Sequence, residues 1–221
     1  MDADTYLALS AAVPAPAIVL LPPIFGIEPV IRGIADRWAA RGFVVGVVNQ
    51  FRHDDEPGQM DRSPEGRAAA LARAQRVDVD RLVGDVGAAV EELRAMPACN
   101  GKVAVAGFCF GGRYAFLAAA RLEVDAAAGF HPTQLAQSLA DGPRVRAPLS
   151  LHFGADDPLT PAADVEAVTA ALPAGARAEI FVYPGATHNF AIPGVPGYDA
   201  AVAELSEQRA FTLFDRLKAA P

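Results

Sequence analysis

Cys109, His188 and one of two neighbouring aspartates, Asp156 or Asp157, are the residues whose types and order suit nucleophilic chemistry. A thiol needs a base to take its proton, and the base needs a third group to orient it. Cys109 sits at the centre of Gly107-Phe108-Cys109-Phe110-Gly111. The apolar run at 102–106 before it reads as a buried strand, and 112–120 after it reads as a helix. A free cysteine is usually a small buried hydrophobe. Here the flanking glycines permit a tight turn and leave the thiol at a helix N-terminus, where the dipole favours a thiolate.

Both acids follow the apolar run at 148–153, and one of them suits a loop or helix-cap role. His188 follows the apolar run at 178–183. Nucleophile, acid and base therefore all fall just beyond strands, where open α/β sheets place their ligand crevice. Among the other histidines, His152 lies within a strand and reads as packing, and His53 reads as solvated. His131 ends a strand on the same side, and is read either as structural or as facing a substrate.

The elements that must position these groups alternate regularly. Strands are expected at 5–9, 17–21, 43–48, 102–106, 124–130, 148–153 and 178–183. Helices are expected at 29–41, 67–76, 80–96, 112–120, 164–172 and 198–218, with a polar loop over 49–66. Apolar strands alternating with helices describe an α/β class with a mostly parallel sheet covered on both faces. With 221 residues, 52% of them hydrophobic, the chain suits one domain over 1–221.

A net charge of −7 argues against nucleic acid or an anionic membrane as the main partner. The apolar run at 17–21 is too short to span a bilayer. Met1-Asp2-Ala3-Asp4 carries no basic segment of the signal-peptide type. Cys99 and Cys109 form no C-x-x-C pattern, so no metal is expected. A disulfide between them would consume the nucleophile, which makes a reducing, cytoplasmic setting the simpler expectation.

The strand–turn–helix around Cys109, followed by acid and then His, resembles the nucleophile elbow and triad order of α/β-hydrolases. That pattern places the acid three residues after Gly154, at Asp157. It also implies an oxyanion hole from the backbone N–H of Phe110 and one donor after the 17–21 strand. Pro22 and Pro23 lack an N–H, so Ile24 is the first residue there able to donate.

More narrowly, the chain resembles the dienelactone hydrolase family from about Val19 to Phe214. The resemblance rests on Pro23-Ile24-Phe25-Gly26, Asp85, Asn100-Gly101-Lys102-Val103, Gly107-Phe108-Cys109-Phe110-Gly111-Gly112, Ala115-Phe116-Leu117, Asp157 with Pro161, and His188 with Phe190. It implies a compact α/β-hydrolase without a large lid. It also implies hydrolysis of a small lactone or ester through a cysteine acyl-enzyme, with no metal or other cofactor, in a monomer or weak dimer.

Three departures from the family pattern stand out. The family's thiol-contacting Glu is replaced by Pro23, with Glu28 the nearest acid in sequence. Of two substrate-carboxylate arginines, one matches Arg67 and the other position holds Ile192. The short N-terminal region suggests that an edge strand or hairpin is missing. A less polar ester or lactone fits Ile192 better, with Arg67, Phe25, Phe51, Ile192 and His131 expected toward the substrate. A thioesterase or other hydrolase on the same scaffold, or a non-catalytic binding module, are the rival expectations.

Overall fold

A computed structural model describes residues 5–219, so the Met1-Asp2-Ala3-Asp4 stretch lies outside the described residues. Seven strands form one sheet: β1 (Tyr6–Ala8), β2 (Ala15–Leu21), β3 (Val44–Val47), β4 (Cys99–Phe108), β5 (Ala126–Phe130), β6 (Leu149–Gly154) and β7 (Ala178–Tyr183). Their order is β1-β3-β2-β4-β5-β6-β7. β1 pairs antiparallel with β3, and every other neighbouring pair is parallel. The helices are α1 (Pro29–Ala40), α2 (Pro64–Gln75), α3 (Val79–Ala95), α4 (Phe110–Arg121), α5 (Ala162–Ala171) and α6 (Ala200–Phe214). This is the expected α/β-hydrolase arrangement, with no large lid inserted. No helix among the described residues is long and apolar enough to cross a membrane.

The two-residue period of a strand divides the core between the faces of the sheet. Ala17, Val19 and Leu21 of β2 join Val103 and Val105 of β4 in one cluster, beneath α3 and α4. Ile18 and Leu20 join Ala104 and Ala106 in the other, beneath α1 and α6. Trp38 of α1 anchors this second cluster, edge-on to Phe211 of α6 at 5.4 Å between ring centroids. Both faces are buried, so these strands read as continuous apolar runs rather than as alternating ones.

Several boundaries differ from expectation for local reasons. α2 begins at Pro64 rather than at 67, because Ser63 caps it by accepting a hydrogen bond from Gly66 N and Pro64 suits the first turn. α6 begins at Ala200 rather than at 198, where the Asp199 carboxylate accepts from the N–H groups of Ala201 and Val202. It ends at Phe214, and a 3₁₀ turn (Asp215–Lys218) completes the expected length.

β4 begins at Cys99 rather than at 102, and the β4–β2 register shifts around Gly101, whose φ is 87°. Cys99 and Cys109 therefore stand at opposite ends of one strand, roughly 30 Å apart at strand rise. They are both free, and no disulfide can join them. An irregular 3₁₀ segment, Leu135–Arg144, was not anticipated. It carries Gly142 and Pro143 and no clear periodicity, and α4 holds it from outside. Arg113 Nε donates to Ser138 Oγ at 2.8 Å, and Arg121 grips Asp141 through Nε and Nη2 at 2.8 and 2.6 Å.

Candidate active site

The turn from β4 into α4 places Cys109 at φ 53° and ψ −117°, a conformation that L-residues rarely adopt. Such a residue costs on the order of 1–3 kcal/mol and persists only where its surroundings over-determine it. Here they do. Cys109 N donates to Phe130 O at 3.0 Å, while Cys109 O accepts from Gly112 N at 3.0 Å and Thr133 N at 3.2 Å. The turn also needs close backbone approach. A Cβ on Gly107 would stand 2.1 Å from Gly111 O, and one on Gly111 would stand 2.3 Å from Leu21 O.

Asp157 and His188 arrive on the loops after β6 and β7. Asp157 is buried, and its Oδ1 accepts from Leu159 N at 2.8 Å. Its Oδ2 lies 2.8 Å from His188 Nδ1, and His188 Nε2 lies 3.2 Å from Cys109 Sγ. Asp156 is exposed and holds the loop only through its backbone N–H to Ala186 O. Burial alone would keep the His188 ring neutral. The hydrogen bonds to Asp157 and Cys109, with their charges, outweigh it and raise the imidazole to about 9. A proton can thus pass from sulfur to Nε2 while Nδ1 stays pinned to a buried carboxylate.

Cys109 and His188 open onto a cavity of about 190 Å³, with Asp157 buried behind the imidazole. Its walls include Ile24, Phe25, Leu71, Phe110 and Leu159, with Arg67 at its edge. Arg67 is exposed, and its side chain has no hydrogen-bond or salt-bridge partner among the described residues. Leu71, Leu159, Gln134 and Asn189 line the same space and were not anticipated, since each comes from a different loop or helix.

Three residues expected toward the substrate stand elsewhere. Ile192 is fully buried in the cluster beneath α1 and α6, and Phe51 is buried behind Phe110, its ring 5.8 Å away. Neither lines the cavity. His131 is also fully buried, with its ring edge-on to His188 at 4.9 Å and no partner for either nitrogen among the described residues. Burial and the charge on His188 push it well below the ordinary histidine range.

Glu28 does not approach the thiol, because Arg62 engages both of its oxygens at 2.7 Å. His53 is exposed, as expected, and stands between Asp85 Oδ2 at 2.9 Å and Arg81 Nη2 at 3.0 Å. His152 packs in β6 as expected, bonded to the Tyr183 hydroxyl at 2.8 Å and Ser150 Oγ at 3.1 Å. No cluster of His, Cys, Asp or Glu among the described residues has the geometry of a metal site.

Known proteins resemble this chain in sequence and in fold. A carboxymethylenebutenolidase from Pseudomonas putida is 32% identical over 212 residues, covering 94% of this chain and 90% of that protein. A second, from Cupriavidus pinatubonensis, is 29% identical over 214 residues, covering 96% and 91%. A crystal structure from Klebsiella pneumoniae shares the fold with a TM-score of 0.86 at 24% identity, covering 96% of this chain and 92% of that one. A dienelactone hydrolase-like promiscuous phosphotriesterase from metagenomic libraries superposes with a TM-score of 0.73 at 27% identity, covering 94% and 89%. The dienelactone hydrolase family profile matches residues 3–218, nearly the whole chain, and the protein belongs to that family.

Proposed function

We propose that this protein hydrolyses a small carboxylic ester or lactone through an acyl-cysteine intermediate. The observation that carries the reading is the hydrogen-bond chain from Cys109 Sγ through His188 to buried Asp157, opening on a mostly apolar cavity. The names of the carboxymethylenebutenolidase relatives support a lactone within that class.

His188 Nε2 holds the proton shared with Cys109, so sulfur attacks the carbonyl carbon as a thiolate beside the imidazolium. The S–C bond forms and the carbonyl π pair moves onto oxygen. The backbone N–H groups of Phe110 and Ile24 receive that oxyanion. On collapse the C–O bond to the alcohol breaks, and the imidazolium gives its proton to the departing oxygen. A water then loses a proton to His188 and attacks the thioester. The S–C bond breaks, the acid leaves, and the thiolate beside the imidazolium is restored.

Arg67, without a carboxylate of its own, suits a single carboxylate on the substrate, which it can hold bidentately. The space is small beside the roughly 300–1,000 Å³ common for drug-sized ligands. A compact, mostly apolar ester or lactone with at most one acidic group fits these walls.

The test is turnover of p-nitrophenyl acetate by wild type and Cys109→Ala. Loss of turnover in the variant is expected, and wild-type turnover would overturn the nucleophile. Parallel kcat/KM values on lactone and thioester panels separate the proposed class from a thioesterase. Arg67→Ala should raise KM for carboxylated substrates by about tenfold and leave neutral ones nearly unchanged. Equal effects on both would remove the carboxylate role.

A further inference from the structure

Outside the triad, two buried polar side chains hold the loop that carries Ile24. Gln50, 4% exposed, donates from Nε2 to Pro23 O at 2.8 Å. Arg73, fully buried, donates from Nη2 to Ile24 O at 3.0 Å and from Nη1 to Glu56 O and Gly58 O at 2.8 and 2.6 Å. No carboxylate is hydrogen-bonded to Arg73 among the described residues. Its guanidinium lies 3.8 Å over the Phe51 ring, and Phe51 stacks on Phe110 at an interplanar angle of 21°. Both residues assigned to the oxyanion hole are thus tied to this buried pair.

The peptide plane makes the Gln50 bond informative. Pro23 C=O and Ile24 N–H belong to one rigid trans peptide and point in opposite directions. The proline ring fixes φ at Pro23, so one torsion, its ψ, remains to aim that plane. Gln50 holds the carbonyl end, which sets where the N–H end points. Ile24 N–H meets no acceptor among the described residues, so it remains available to a ligand.

Gln50 is poorly explained by stability alone. Its Oε1 is buried with no partner, and Pro23 O already accepts from Gly26 N at 3.1 Å. An apolar side chain of the same shape would strand no polar atom.

We propose that Gln50, backed by Arg73, is a positioning residue that aims the Ile24 N–H at the oxyanion formed during attack by Cys109. The proposal rests on the cysteine-hydrolase reading above. Acylation and deacylation both pass through an oxyanion, so either step, if rate-limiting, reports on the donor.

Gln50→Leu and Gln50→Met remove the donor while keeping the volume. Three quantities are measured for each: kcat and KM on p-nitrophenyl acetate, and the rate at which iodoacetamide alkylates Cys109. Alkylation displaces iodide at a saturated carbon and forms no oxyanion, so it reports thiol activation alone. The expected result is a kcat about tenfold or more lower, with KM and alkylation rate within about twofold of wild type. Unchanged kcat in both variants would overturn the proposal. So would a parallel fall in kcat and alkylation, or failure of both variants to fold, since each makes Gln50 a structural residue. Wild-type protein without Cys109-dependent turnover would instead overturn the hydrolase reading, and this proposal with it.

Discussion

His188 is pulled two ways, by burial that disfavours its charge and by Asp157 and Cys109 that favour it, and the partners prevail. Its value, raised from 6.5 to about 9, has a definite sign in linkage. The stability contributed by the charged ring is complete below about 6.5 and is lost as pH rises through about 9. Asp157→Asn removes one partner, so its unfolding midpoint should vary less with pH across that window than wild type does. Its kcat should also fall by about 10²–10⁴-fold, because the ring loses its fixed tautomer. Thermal melts from pH 6 to 10, alongside ester turnover, check both. An unchanged melt profile would mean that Asp157 does not set the His188 charge.

At the scale of elements, the site depends on how closely α4 meets the sheet. Gly111 passes so near Leu21 that a methyl group would fall 2.3 Å from its carbonyl oxygen, with backbone on both sides. Gly111→Ala should therefore destabilise the fold by about 2–3 kcal/mol, seen as a lower urea midpoint, and reduce turnover by displacing Cys109. Retained stability would show that the strand–helix contact can relax. α2 reaches the site from the other side, presenting Arg67 to the cavity edge and Arg73 to the loop beneath it. Its Ser63 cap is worth about 1 kcal/mol, so Ser63→Ala should lower stability by that amount in denaturant titration. The Ser63-Pro64 start falls inside the stretch that reads as a polar loop over 49–66, because its charge and its Pro and Gly content mask the cap. The buried role of Arg73 was not legible either, because the carbonyls it holds, Ile24, Glu56 and Gly58, lie 15 to 49 residues away in sequence.

For the whole molecule, Trp38 joins α1, α6 and the sheet on the face opposite α3 and α4. Trp38→Ala should cost about 3–5 kcal/mol, measured by denaturant unfolding. Trp38→Phe should cost less, since it keeps an aromatic ring and removes an indole N–H with no partner among the described residues. Equal losses would mean that the indole itself, rather than the ring volume that Phe retains, carries the contribution. Across this scale the sequence by itself determined the strand and helix order, the glycine-framed turn at Cys109, and the succession Cys109, Asp157, His188. Those are local facts of residue type, hydrophobic period and chain order. Only the tertiary structure decided which aspartate meets His188, and that Glu28 answers Arg62 rather than the thiol. It also decided that Phe51, Ile192 and His131 stand behind the cavity wall, and that Gln50 and Arg73 hold the loop at Ile24. These depend on the direction of side chains brought together by packing, and hydrophobic periodicity does not encode that direction between distant segments.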